Sequence, residues 1–136
     1  MKTAINVFFA VMLMVLSSCT GGASAEAKSP ASNTDSKVEV LYLHGKYRCA
    51  TCKAVGQYSK ELVQQLNNNA VVWKEVDLST KEGEKIGDKY EVSGSGLVIV
   101  KGDKFQNLTE MAFRYAMSDT PKFKNDLKVA IVKLQK

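Results

Sequence analysis

The stretch that most constrains this chain is KVEVLYLHGKYRCATCKAVGQYSKELVQQL, residues 37–66. Val38, Val40, Leu41 and Leu43 form a nearly continuous aliphatic run, the pattern of a central strand covered on both faces. Beyond Cys52, the residues Val55, Tyr58, Leu62 and Leu66 recur at spacings of three and four, which is an amphipathic helix, although Gly56 inside it costs about 1 kcal/mol. The pair Cys49 and Cys52 therefore stands at a strand–helix junction. Cys-x-x-Cys spacing alone suits a redox pair, half of a metal site or a structural disulfide.

The remaining elements follow from the same patterns. AVVWKEVDL is a second strand. STKEGEKIGDKY opens with a capping box, Ser79 followed by Glu82, and places Ile86 and Tyr90 on one face of a short helix. VSGSG is a loop, LVIV a third strand, and KGDK a hairpin turn into FQNL. Thr109–Met117 is a short helix or irregular. The last helix takes Thr120 as its N-cap and Pro121 as its first residue, with an apolar stripe of Phe123, Leu127, Ala130 or Ile131, and Leu134. The order β-α-β-α-β-β-α predicts an α/β fold, a central mixed sheet of about four strands flanked by helices. The first crossover is expected to be right-handed with parallel strands, and the final hairpin adds antiparallel ones. No internal repeat is present.

Residues 37–136 carry this pattern and make one domain of ordinary small size. The residues before it read differently. Met1-Lys2 and the apolar run Ile5–Leu16 fall short of the roughly 20 residues a membrane-spanning helix needs, and small residues follow. This is the pattern of a secretory signal, so the chain is expected to be exported. The signal ends in LSSC, which resembles the lipobox of bacterial lipoproteins. That resemblance implies a signal peptide over residues 1–18 and a lipidated Cys19 as the first mature residue. It also implies a membrane anchor facing the periplasm or cell exterior, at the outer membrane more than the inner. ASA at Ala23–Ala25 is the competing cleavage site; LSSC is favoured because it abuts the apolar core. TGGASAEAKSPASNTDS, Thr20–Ser36, has no large apolar side chain and is read, with Cys19, as a lipid-anchored disordered tether over residues 19–36. Either cut leaves two thiols, Cys49 and Cys52, in a compartment where such a pair can rest oxidised. The net charge of +5 does not indicate nucleic-acid binding, because the lysines are spread among fourteen acidic residues with no basic, aromatic-interleaved cluster.

With Cys-x-x-Cys between its first strand and first helix, this order resembles the thioredoxin-like superfamily over essentially residues 37–136. DKYEVSGSGLVIVKGDK looks like the family's substrate-side loop and edge hairpin. LYLHGKYRCATCKAV is similar to small bacterial thioredoxin-like proteins labelled ArsF-family nitrophenyl-compound nitroreductase subunits. No nitroreductase or arsenic chemistry is visible in the residues themselves. The resemblance implies thiol–disulfide exchange with partner protein thiols or disulfides and with an electron donor or acceptor, and no cofactor. The chain departs from thioredoxin at several points. Arg48 stands where the family usually has tryptophan, Ala50-Thr51 replace Gly-Pro, and Leu43 stands where many members bury an acidic residue. Gly96 replaces the proline that faces the disulfide, which makes it the expected substrate-side residue.

The chemistry of the pair follows from its position. A thiolate, not a thiol, attacks a disulfide. Cys49 at a helix N-terminus, with Lys46, Arg48 and Lys53 nearby, has the setting that lowers a thiol's pKa, so Cys49 is the expected nucleophile and Cys52 the resolving cysteine. A structural disulfide three residues apart closes a tiny loop and stabilises little. A metal site needs more ligands, and only His44, the one histidine, is near enough in sequence. The alternative left open is a soft-metal or arsenite module built from Cys49, Cys52 and His44. The Ser93–Gly96 segment lacks the setting of a dinucleotide loop. Trp73 and the tyrosines are read as packing residues.

Overall fold

The computed structural model describes residues 36–136. The predicted signal peptide, Cys19 and all but the end of the predicted tether lie outside the described residues. Eight elements follow in order: β1 (Val38–His44), α1 (Ala50–Leu66), β2 (Val71–Asp77), α2 (Lys81–Lys89), β3 (Gly96–Lys101), β4 (Lys104–Asn107), α3 (Thr109–Tyr115) and α4 (Thr120–Gln135). The strands form one sheet in the order β2-β1-β3-β4. β1 pairs in parallel with β2, from Val38 opposite Val71 to His44 opposite Asp77, and antiparallel with β3. β3 and β4 form an antiparallel hairpin closed by Gly102 and Asp103 between the paired Lys101 and Lys104. The predicted mixed α/β sheet is the one observed. α3 is a full helix in the segment the sequence left between helix and irregular structure.

β1 lies inside the sheet and is buried on both faces, as its continuous aliphatic run requires. Alternate residues serve two cores. Val38, Val40 and Tyr42 pack with Val55 and Leu62 of α1, Ala112 of α3, and Phe123, Leu127 and Ile131 of α4. Leu41 and Leu43 point the other way, into a smaller core with Tyr90, Val92, Val98 and Val100, flanked by Ile86 of α2. Each such aliphatic side chain, fully buried, contributes roughly 1.5–3 kcal/mol of transfer free energy. β4 is a short, wholly exposed edge strand, a form that limits edge-to-edge pairing.

Two helix starts differ from expectation by one residue. Thr80, not Ser79, caps α2: its hydroxyl accepts from the Gly83 amide at 3.0 Å. Ser79 is held by Asp77 instead, donating from both its amide and its hydroxyl to the Asp77 carboxylate. Asp119, not Thr120, caps α4 through the Lys122 amide at 3.0 Å, while the Thr120 hydroxyl donates back to the Ala116 carbonyl at 2.8 Å. A carboxylate accepts a hydrogen bond from an amide more strongly than a hydroxyl does, which decides the second case.

Candidate functional site

Cys49 is the N-cap residue of α1, in extended backbone conformation, and its sulfur accepts a hydrogen bond from the Cys52 amide at 3.1 Å. The two cysteines are joined by a disulfide, with their Cα atoms 5.1 Å apart. The halves of the pair are not equivalent: Cys49 is exposed and Cys52 is only 7% exposed. The first turn of α1 carries no acidic residue, so nothing there opposes the positive end of the helix.

The segment is held from below by Tyr42 of β1. Its hydroxyl donates to the Cys52 carbonyl at 2.7 Å in the interior. The ring fits only because position 56 is glycine: a Cβ there would lie 2.6 Å from Tyr42 Cε1 and 2.9 Å from Cδ1. Gly56, a helix weakness in sequence terms, is thus the space the Tyr42 ring needs. Burial pushes the Tyr42 hydroxyl above the ordinary tyrosine range, against the opposing effect of the Arg48 guanidinium. One turn further, the buried Ser59 hydroxyl donates to the Gly56 carbonyl at 3.1 Å and accepts from the Trp73 indole at 3.1 Å. Trp73 stacks near Tyr42 at 6.4 Å and Lys60 lies over it at 5.2 Å.

Arg48 is engaged with a partner that sequence reasoning did not find. Its Nη1 donates to Glu75 Oε1 of β2 at 2.6 Å. The same carboxylate oxygen lies 3.0 Å from His44 Nε2, and His44 Nδ1 lies 3.0 Å from the Gly45 carbonyl oxygen. Both ring nitrogens of this buried histidine are therefore occupied by oxygen partners. His44 is thus tied to Glu75, and among the described residues no three His, Cys, Asp or Glu side chains gather as a metal site. Next to this cluster, hydrogen bonds from the Ser79 hydroxyl and amide hold the Asp77 carboxyl below the usual range, with the His44 and Arg48 charges adding to the effect.

Lys53 is exposed beside Cys52. Gly96 begins β3 opposite Leu43, at the end of the sheet from which the Cys49–Cys52 segment emerges. A Cβ at Gly96 would meet Val92 Cγ1 at 2.7 Å and Thr109 Oγ1 at 2.8 Å, so close packing of the loop before β3 against α3 requires glycine there. On the α3 side, the Thr51 hydroxyl donates to the Met117 sulfur at 3.4 Å, which sets the 60%-exposed Met117 next to the first turn of α1. Among the expected site residues, Cys49, Cys52, Arg48 and Lys53 share the start of α1. Tyr42, Gly56, Glu75 and Met117 are additions that only the tertiary structure supplies.

No protein-family model matches the sequence, and no curated protein matches it. Solved structures do match. The first thioredoxin domain of mouse protein disulfide-isomerase A4 aligns at a TM-score of 0.53 and 16% identity, over 75% of this chain and 66% of that one. A malarial protein aligns at a TM-score of 0.50 and 22% identity, over 73% of this chain and 97% of its own. The fold is thioredoxin-like. In this thioredoxin-like chain the disulfide occupies the junction of the central strand β1 with α1, as the resemblance in sequence implied.

Proposed function

We propose that this chain is an extracytoplasmic thiol–disulfide oxidoreductase in which Cys49 is the nucleophile and Cys52 the resolving cysteine. The observation that carries the proposal is the asymmetric disulfide at the α1 N-cap, exposed at Cys49 and buried at Cys52. In the reduced protein the Cys49 thiolate attacks a partner disulfide, forming a mixed disulfide and releasing the partner's other sulfur as a thiolate that takes a proton from water. Cys52, deprotonated in turn, then attacks Cys49, restoring the internal disulfide and releasing the second partner thiol. Two electrons pass from the protein dithiol to the partner. An electron donor resets the pair, or an acceptor draws on it when the flow is reversed. Export and lipidation at Cys19 would place this exchange at a membrane surface outside the cytoplasm, the outer membrane by the character of Thr20 after the cysteine.

The purified protein is expected to equilibrate between dithiol and disulfide in glutathione or dithiothreitol buffers. Its potential is expected within the roughly −270 to −120 mV that Cys-x-x-Cys proteins span. Cys52→Ser should accumulate a mixed disulfide through Cys49, and Cys49→Ser should not. A pair that cannot be reduced while the protein stays folded, or trapping that is equal in both variants, would refute the assignment.

A further inference from the structure

The fold gathers at one end of the sheet lysines that lie far apart in the chain. Glu39 of β1 pairs with Val100 of β3, so Lys37, just before β1, lies beside the end of β3. Lys101 closes β3 opposite Lys104 of β4, and its ammonium donates to the Gln135 carbonyl at 2.6 Å. That bond brings the last turn of α4, with Lys133, to the same place. The disulfide is at the other end of β1, seven residues or about 20 Å away at 3.3 Å per residue. We propose that this lysine-rich end rests on an anionic bilayer, its ammonium groups on the phosphates of lipid headgroups, and so turns Cys49 away from the membrane. The proposal rests on the lipid anchor at Cys19 proposed above and is independent of the redox reading.

Charge complementarity selects the partner. Lys37, Lys104 and Lys133 are exposed and make no ion pair among the described residues. The carboxylates near them offset little: Glu39 is taken by Lys74, and Asp103 of the hairpin turn is a single carboxylate against three ammonium groups. At the disulfide end the balance is different. Glu75, Asp77 and Asp119 stand there among Lys46, Arg48 and Lys53, and Glu75 holds Arg48. The positive field is therefore directional along the strands. Val132, exposed next to Lys133, adds the apolar contact that interfacial helices make below the headgroups.

The place where the preceding chain joins the domain selects a bilayer over a soluble polyanion. Seventeen residues separate Cys19 from Lys37, and even fully extended they span at most about 60 Å. A domain anchored at Cys19 is held by this end, so its contact with the bilayer becomes intramolecular. Lysines too few to bind a membrane unaided then suffice. Screening limits the attraction to about 10 Å in 0.1 M salt, so it acts on the face that touches the bilayer.

The test places the full chain, extracted from membranes, in vesicles of phosphatidylcholine alone or in an equimolar mixture with phosphatidylglycerol, and follows acetylation of each lysine by mass spectrometry. On the anionic vesicles, acetylation of Lys37, Lys104 and Lys133 should slow by about threefold or more, and high salt should restore it. Lys46 and Lys53 beside the disulfide should react alike on both. The double variant Lys104→Gln, Lys133→Gln should abolish the protection of Lys37. Lys81→Gln, Lys85→Gln, the same charge change on exposed positions of α2, should keep it. Equal rates on both vesicles, protection that extends equally to Lys46 and Lys53, or an equal effect of the two double variants would overturn the surface and leave the anchor standing. Equal protection by soluble heparin at matched charge would assign the lysines to a polyanion and overturn the bilayer. A chain that neither vesicle retains would overturn the anchor, and the surface with it.

Discussion

Gly56→Ala separates two ways of evaluating one residue. Helix propensity alone says that alanine inside α1 should stabilise the protein by about 1 kcal/mol. The structure says the opposite, because the new methyl would sit 2.6 Å from Tyr42 Cε1 and 2.9 Å from Cδ1. Relieving that overlap means moving the ring or the helix, at about 1–3 kcal/mol for overpacking in a filled core. If the ring moves, the hydroxyl also loses its 2.7 Å bond to the Cys52 carbonyl, which contributes about 1 kcal/mol. The balance is a net loss of about 1–3 kcal/mol, or at roughly 4–8 °C per kcal/mol a Tm lower by on the order of 10 °C. Urea unfolding of the oxidised proteins measures the difference. The decisive comparison is a double-mutant cycle with Tyr42→Ala: with the ring gone, Gly56→Ala should become stabilising. A stabilised single variant, or a Gly56→Ala effect of the same sign in both backgrounds, would refute the placement of the Tyr42 ring under position 56.

Two further outcomes are expected. Glu75→Gln releases the Arg48 guanidinium from its carboxylate and strengthens the positive field near Cys49. Alkylation of Cys49 in the reduced protein near neutral pH should therefore accelerate, while stability changes by about 1 kcal/mol or less, as befits an exposed pair; an unchanged or slower rate would show that Arg48 does not act on this sulfur. Ser79→Ala removes a hydrogen bond that lowers the Asp77 pKa. A carboxyl whose folded pKa is depressed stabilises the fold above its unfolded value of about 3.9, and that stability is lost as pH falls through the folded pKa. The variant should thus be less stable than wild type at neutral pH and converge with it in acid. A carboxyl NMR titration should show the Asp77 pKa rising, and a stability difference that persists unchanged at the lowest pH would contradict the linkage.

The parts legible in the sequence were those with local periodicity. The aliphatic run of β1, the three-and-four spacing of α1 and the Cys-x-x-Cys between them are continuous in the chain, so strand, helix and disulfide could be placed together. The two displaced caps arose where two capping-type residues are adjacent, Ser79-Thr80 and Asp119-Thr120. The choice between them depends on which oxygen is already engaged, as Ser79 is by Asp77. Glu75 was invisible for a different reason. It reaches Arg48 and His44 only through the parallel register that sets Tyr42 opposite Glu75 and His44 opposite Asp77. The same register brings Trp73 beside Tyr42, where it packs half-buried against the core. Gly56 carried a signal, an unfavourable residue within a strong helix, but its cause was a ring on another element.

These contacts divide the work of the site into geometry and electrostatics. The Tyr42 bond to the Cys52 carbonyl involves no sulfur atom, so it can persist through both redox states; it orients the first turn of α1 without favouring either. The Cys52 amide is different, because it is aimed at Cys49 Sγ. A disulfide sulfur is a weak acceptor, whereas a thiolate in that place receives a charge-assisted bond of about 1.5–3 kcal/mol. The N-cap bond therefore strengthens on reduction. At about 30 mV per 1.4 kcal/mol for a two-electron couple, that preference raises the potential by some tens of millivolts. Lys53, which has no ion-pair partner among the described residues, acts in the same direction. Arg48 contributes less than its position in the sequence suggests, because Glu75 neutralises much of its charge. Under the proposed exchange, the end of α1 is therefore a larger contributor to a Cys49 thiolate than Arg48, with β2 moderating the nearest guanidinium.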